Sequence, residues 1–356
     1  MMNISKHIDT LTAEAVKLLK EMIAIPSTSF NEDAVCSHIS GWMTERGIAH
    51  ERIGNNIIAE HICNPEAPTL MLCAHIDTVE PCEGYSFNPY GPEVCTEGLI
   101  QGLGSNDDGA SVVSMIAAYR YAISRDRVNL ILVLTSEEER SGKGGMTGLW
   151  PALASKVDFA IVGEPTGMKA AIAERGLLVI DAVAEGVSGH AARNEGVNAL
   201  YIALEDIQAL RNHIFEKVSP RMGKVNLNVT QINAGTAHNV IPDRCSFVID
   251  IRPTEQYTNQ EILDELQAIC KSKLTPRNLL NQSSATFEDS PLQKVAEELG
   301  LETFSSPTTS DWMRISCDAI KMGPGDSARS HKKDEYVTVD EISEGIKTYI
   351  EFIERL

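Results

Sequence analysis

The sequence His75-Ile76-Asp77 closes the apolar run Thr69-Leu70-Met71-Leu72-Cys73-Ala74. In a strand, residues two apart share a face, so an imidazole and a carboxylate point the same way where a buried strand ends. Such a pair can simply cap a strand; it can also hold a cation. Four further segments place acids or imidazole in comparable positions. Gly102-Leu103-Gly104-Ser105-Asn106-Asp107-Asp108-Gly109 is a glycine-rich loop opening a helix, where an acid is also a favoured N-terminal neighbour of the helix dipole. The run Leu130-Ile131-Leu132-Val133-Leu134-Thr135 leads into Ser136-Glu137-Glu138-Glu139, three adjacent carboxylates that repel one another unless solvated or neutralised. Ala160-Ile161-Val162-Gly163 delivers Glu164, and Ser330-His331-Lys332-Lys333-Asp334-Glu335-Tyr336 supplies a second imidazole. Two imidazoles with several carboxylates form a hard-to-borderline ligand set, suited to zinc or a similar divalent ion. The carboxylates outnumber the needs of one tetrahedral ion. Two ions about 3.5–4 Å apart, sharing a carboxylate and a water, would use them.

The elements that must position these groups follow from hydrophobic spacing. Helices are predicted over Leu11 to Ile25, stopping at Pro26, over Asp33 to Arg46, stopping at Gly47, and over Ala110 to Ser124, with another near Leu149 to Ala154. Strands are predicted at Asn56 to Ala59, Leu70 to Ala74, Asn129 to Thr135 and Phe159 to Val162. That alternation predicts an α/β domain with a mixed, mostly parallel sheet flanked by helices, whose ligands gather at the carboxyl ends of the strands. The pattern changes near Gly176. Strand Leu177 to Ala184, helix Gly196 to Phe215, strands Val225 to Ile232 and Ser246 to Ile251, and helix Asn259 to Lys271 predict a smaller α+β unit. The α/β pattern then resumes with helices Leu292 to Leu299 and Asp311 to Ile315, strand Asp318 to Met322 and helix Asp340 to Leu356. The expected division is a catalytic domain of residues 1–176 and 289–356, interrupted by an inserted unit at 177–288.

Composition narrows the function further. The chain has 356 residues, 43% hydrophobic and 23% charged, the profile of a soluble globular protein of two domains. Its formal charge of −19, from 31 Lys plus Arg against 50 Asp plus Glu, argues against nucleic acid or an anionic membrane as partner. No apolar stretch approaches the roughly 18 residues of a spanning helix, and the N-terminus lacks a signal-peptide pattern, so the expected location is the cytoplasm. The eight cysteines, among them Cys63 and Cys95, are scattered without a Cys-x-x-Cys pair and are expected as free thiols.

In these motifs and their order the chain resembles the di-zinc amidohydrolase and exopeptidase family that includes acetylornithine deacetylase, succinyl-diaminopimelate desuccinylase and glutamate carboxypeptidases. The likeness spans essentially the whole chain and lies nearest the acetylornithine deacetylase branch. It implies a ferredoxin-like inserted domain that mediates homodimerisation, and two Zn²⁺ per chain, with Co²⁺ as an alternative. His75 and Glu164 would ligate one ion, Glu139 and His331 the other, and Asp107 both. Asp77 would orient the His75 ring, and Glu138 would be the general base. In Gly189-His190-Ala191-Ala192, His190 would reach across the dimer to stabilise the tetrahedral oxyanion. Asn239 and Arg252 would contact substrate, while Arg175 and Gly325 would hold its α-carboxylate.

The chain departs from the family pattern in three places. Asp108-Gly109 stands where many members have Met-Lys-Gly, leaving Asp107 against Asp108 as the bridge a matter of alignment. Glu137 precedes the Glu pair in place of a more usual Asp, so base and ligand among Glu137, Glu138 and Glu139 stay open by one position. Asn194 follows Arg193 where proline is frequent. The implied activity is hydrolysis of the amide bond of an N-acyl amino acid, N-acetyl- or N-succinyl-ornithine or -citrulline, in arginine biosynthesis. The alternatives within the family are a succinyl-diaminopimelate desuccinylase, a dipeptidase and a carboxypeptidase. A catalytically dead regulatory protein would be expected to lack a ligand, and none is missing.

Overall fold

The computed structural model describes residues 4–91, 98–193 and 195–356. It divides into two compact units: the chain up to Ile172 with Thr286–Phe304 and Ser310–Leu356, and Ala173–Ala285 with Ser305–Thr309.

The first unit is built on a mixed sheet. Its four central strands, Asn129–Thr135, Thr69–His75, Phe159–Val162 and Asp318–Lys321, lie side by side and parallel in that order. Asn56–His61 and Glu51–Ile53 extend it antiparallel on one side, and on the other the start of the Ala170–Glu174 strand pairs through Ala171 with Lys321. Every residue of Thr69–His75 and Asn129–Thr135 is buried, as near-continuous apolar runs covered on both faces require. Helices Ile4–Ile23, Gly109–Ile123 and Val339–Arg355 contribute to the core on one face. Met146–Leu153 and the 3₁₀ turn Asp311–Arg314 pack on the other.

The first helix begins a full turn or more before the expected Leu11, because Ile8 continues the buried stripe of Leu11, Ala15, Leu18, Leu19 and Met22. It ends at Ile23 rather than Ile25, since the residue before Pro26 is sterically driven out of the helical region. The expected helix at Asp311 to Ile315 is only a 3₁₀ turn. Leu99–Gln101 and Tyr336–Thr338, neither expected as strands, pair antiparallel.

The second unit runs strand Leu178–Glu185, helix Ala199–Asn212, strands Asn226–Ala234 and Arg244–Arg252, helix Asn259–Ile269 and strand Lys273–Pro276. Its antiparallel sheet places the strands in the order 226–234, 244–252, 178–185, 273–276, the ferredoxin-like arrangement. Leu178, Ile180, Ala182 and Ala184 alternate inward against both helices. The Ala199–Asn212 helix is shorter than the expected Gly196 to Phe215, because the Asn198 side chain caps it by accepting from Leu200 N. The cysteines are free among the described residues, and Cys95 lies outside them.

Candidate metal centre

Parallel strands put their carboxyl ends on one edge, and the register here aligns those ends closely. His75 pairs with Thr135, and Cys73 with Val162. Asp77, the Glu137–Glu139 turn and Glu164 therefore leave the sheet side by side. The antiparallel pairing of Ile100 with Val337 brings the 102–108 loop and the 331–335 loop to the same edge.

His75 is buried, and its Nδ1 donates to the Asp77 carbonyl oxygen at 2.9 Å, which leaves Nε2 as the nitrogen with a free lone pair. That Nε2 lies 3.2 Å from Asp107 Oδ1. The other oxygen of the same carboxylate, Oδ2, lies 3.7 Å from His331 Nε2, which is itself 3.0 Å from Glu139 Oε1. Two ligand groups result, His75 with Asp107 and Glu139, and His75 with Glu138 and Glu164, each with its donor atoms within 4.8 Å of one another. The peptide bond between Asp107 and Asp108 is cis. The Asp108 carboxylate is buried and lies against Gly163, where an added Cβ would meet it at 3.0 Å.

The electrostatics of this cluster call for cations. At such separations two like charges repel by roughly 3–4 kcal/mol at an effective dielectric of about 20. Burial, opposed by His75 and reinforced by Glu164, pushes Glu138 well above the usual carboxylate range. Burial and then Asp107 do the same to Glu164. Burial also raises Glu139 despite its bond to His331. For Asp107, burial raises the pKa, but His75, with Ser330 and His331, outweighs it and holds the pKa down. For His75, burial is outweighed by Asp107 and Asp77, which raise it well above its ordinary value. Glu139, opposed by burial, lifts His331 to about 9. The donors are imidazole nitrogen and carboxylate oxygen, a set that fits divalent ions such as zinc.

Asp77, expected to orient the His75 ring, also holds the turn that follows the neighbouring strand. Its carboxylate stands 3.5 Å from His75 Nδ1, whose hydrogen bond goes instead to the Asp77 backbone. Its oxygens accept from Glu138 N and Glu139 N, both at 3.1 Å, and from Ser29 Oγ at 2.7 Å. Of the three adjacent glutamates, Glu137 turns away: its Oε2 accepts from Gly144 N at 2.8 Å, outside both ligand groups. Gly325 has φ of +90°, and a Cβ there would meet Asn106 Oδ1 at 2.3 Å, so that approach requires glycine.

His190, Asn239, Arg252 and Arg175 belong to the second unit. His190 and Asn239 are exposed, and His190 Nδ1 accepts from Ala192 N. Arg175, expected to hold the substrate's α-carboxylate, meets backbone carbonyls. Nη1 donates to the carbonyls of Lys224 and Arg252, and Nη2 to that of Met222, so both arms of its fork are engaged. Arg252 likewise donates through Nε and Nη2 to Asp250, two residues back on its own strand.

Three contributors were not anticipated. Buried Glu335 accepts from Gly104 N, Asn106 N and Asp107 N and so fixes the 102–108 loop. Asp311, buried beside Thr135 Oγ1 at 2.7 Å, adds a further charge near His75. Fully buried Lys321 acts on Glu164, lowering the pKa that burial raises. The one available signal was an acid or lysine flanking a strand already assigned to the site.

A family profile described as Peptidase family M20/M25/M40 matches residues 71–355. A succinyl-diaminopimelate desuccinylase of Wolbachia pipientis is 26% identical, covering 96% of this chain and 92% of its own. An acetylornithine deacetylase of Proteus mirabilis is 26% identical, covering 90% and 91%. Among solved structures, an aminopeptidase from Bacillus cereus superposes with a TM-score of 0.79 at 17% identity, covering 97% of this chain and 98% of that one. A Bacillus subtilis protein described as a dinuclear metal-binding peptidase superposes with a TM-score of 0.76 at 15% identity, covering 98% and 100%.

Proposed function

The chain belongs to peptidase family M20/M25/M40 and is a hydrolase, and on that premise we propose a homodimeric, cytoplasmic N-acyl amino-acid deacylase acting on N-acetyl- or N-succinyl-ornithine or -citrulline in arginine biosynthesis. The observation that carries the hydrolytic reading is the divided carboxylate of Asp107, with Oδ1 at 3.2 Å from one imidazole and Oδ2 at 3.7 Å from another. Two Zn²⁺, or Co²⁺, would be held by His75, Asp107 and Glu164 and by Asp107, Glu139 and His331. When bound, such a pair polarises the scissile carbonyl and lowers the pKa of water.

Glu138 then serves as general base. Its place in a ligand group with His75 and Glu164 suits it to take a proton from the attacking water and return it to the leaving amine. Asp77 holds the backbone of Glu138 and Glu139 in place. His190 donates to the oxyanion of the tetrahedral intermediate in the partner subunit, and Asn239, Gly325 and the unengaged face of Arg252 contact substrate. Arg175, with Gly325, holds the substrate's α-carboxylate, its guanidinium steadied by three backbone carbonyls.

The second reading, a succinyl-diaminopimelate desuccinylase, is supported by the relative of that name at the same 26% identity. A panel of N-acetyl- and N-succinyl-ornithine, -citrulline and -diaminopimelate separates the two. The highest kcat/KM is expected on an ornithine or citrulline derivative. A preference for succinyl-diaminopimelate would replace the first reading with the second, and no hydrolysis of any of the six would reject both.

A further inference from the structure

The end of the sheet opposite the carboxylate cluster carries a second group of ligand-type side chains. His61 closes the Asn56–His61 strand opposite Leu130, where the Asn129–Thr135 strand begins. His75 closes the neighbouring Thr69–His75 strand at the far end, about 20 Å away at roughly 3.3 Å per residue. At the near end His61, Cys63 and Asp126 each offer a donor atom, all within 4.8 Å of one another.

The His61–Asp126 contact is informative. Nε2 of His61 is buried and only 2.9 Å from Asp126 Oδ1, yet it forms no hydrogen bond. The ring axis at that nitrogen therefore does not point at the oxygen. Two donor atoms in contact but not aligned leave both lone pairs available to a third body. The Cys63 thiol makes one weak hydrogen bond, donating to Asn129 Oδ1 at 3.5 Å, and the same oxygen already accepts from Cys63 N and Asn64 N at 3.0 Å. Those backbone bonds fix the loop without the sulfur. The group lies at the surface, and Asp126, whose side chain is 72% exposed, is its open side.

We propose that His61, Cys63 and Asp126 form a further metal site that takes a zinc-type divalent cation and ties the loop after His61 to the turn before Val128. Imidazole nitrogen, thiolate and carboxylate match zinc or cobalt and not magnesium or calcium, with solvent as the fourth ligand. On binding, the Cys63 thiol releases its proton to solvent and the thiolate pair is shared with the ion. The site is structural and independent of the proposed hydrolysis, so either reading can fail without the other.

The test is made on the full chain, stripped with a chelator and titrated with Co²⁺. The donors of the proposed catalytic centre are nitrogen and oxygen, so a thiolate-to-cobalt charge-transfer band in the near ultraviolet reports the cysteine site. The expected result is such a band with metal analysis giving one equivalent more than in Cys63→Ser, where the band is lost and amide hydrolysis is kept. His61→Gln is expected to reduce the same band. Absence of the band in the unaltered chain, its persistence in Cys63→Ser, or equal metal content in both would overturn the site. The unaltered chain decides the first of these whether or not the variants fold.

Discussion

Asp107 is the residue on which the proposed centre turns, because its two oxygens face different imidazoles. Glu138 and Glu139, adjacent in sequence, fall into different ligand groups, while Glu137 leaves both. Glu138→Gln keeps the side chain's size but removes the basic oxygen pair. Turnover is expected to fall by about 10²–10⁴-fold or more, as for loss of a general base, with metal content unchanged on elemental analysis. Retained turnover would move the base elsewhere. The imidazoles make a second prediction. Glu139 lifts His331 to about 9 in the metal-free chain, so at neutral pH that ring is protonated and must lose its proton to bind metal. Metal affinity should therefore rise with pH up to about 9 and then level. Calorimetric titrations of the metal-free protein in buffers of different ionisation enthalpy should register proton release; buffer-independent heats would contradict it. The same His331–Glu139 pair has the opposite effect on the metal-free fold. A raised folded pKa gives stability that is full below the ordinary value of 6.5 and lost as pH rises through about 9.

The strand ends position these groups, and Asp77 links two of them. It leaves the Thr69–His75 strand and accepts the amides of Glu138 and Glu139, which follow Asn129–Thr135. Asp77→Ala removes acceptors from two backbone donors and frees the turn. The expected loss is about 10–100-fold in metal affinity or activity, the scale found for groups that hold ligands in place. An unchanged metal titration would show that the turn holds itself. This part of the site was legible in the sequence, because apolar runs ending in His75, Glu139 and Glu164 mark parallel strands whose carboxyl ends must meet. Glu335 was not legible. Its role depends on Leu99–Gln101 pairing with Tyr336–Thr338, two short strands distant in sequence and with too few residues for a periodic signal. The surroundings of Arg175 were not legible for a different reason. A guanidinium suits a substrate carboxylate and backbone carbonyls equally well, and only the folded chain reveals that Lys224, Arg252 and Met222 take its hydrogen bonds.

At the scale of the whole molecule the second unit carries surface that a monomer leaves open. Asn226–Ala234 is an edge strand with most of its residues partly or fully exposed, and long open edges are ordinarily covered. Beside it in sequence, the Ala199–Asn212 helix exposes Tyr201 at 63% and Leu204 at 49%, three residues apart on one helical face. A two-fold partner presenting the same strand and helix would cover both at once. Leu204→Glu with Tyr201→Glu should then give a monomer by light scattering, and a dimer that survives both would place the interface elsewhere. Dimerisation gains catalytic meaning only if His190 acts in the partner subunit, which subunit mixing can decide. A Glu138→Ala chain keeps its imidazole, and a His190→Ala chain keeps its base. Random reassociation makes half of the dimers mixed, and in each mixed dimer one site of two has both groups if the imidazole works in trans. Recovery of about a quarter of the activity of the unaltered enzyme is therefore expected from two chains each nearly inactive alone. If His190 serves its own chain, no site in any mixed dimer has both groups, and mixing recovers nothing.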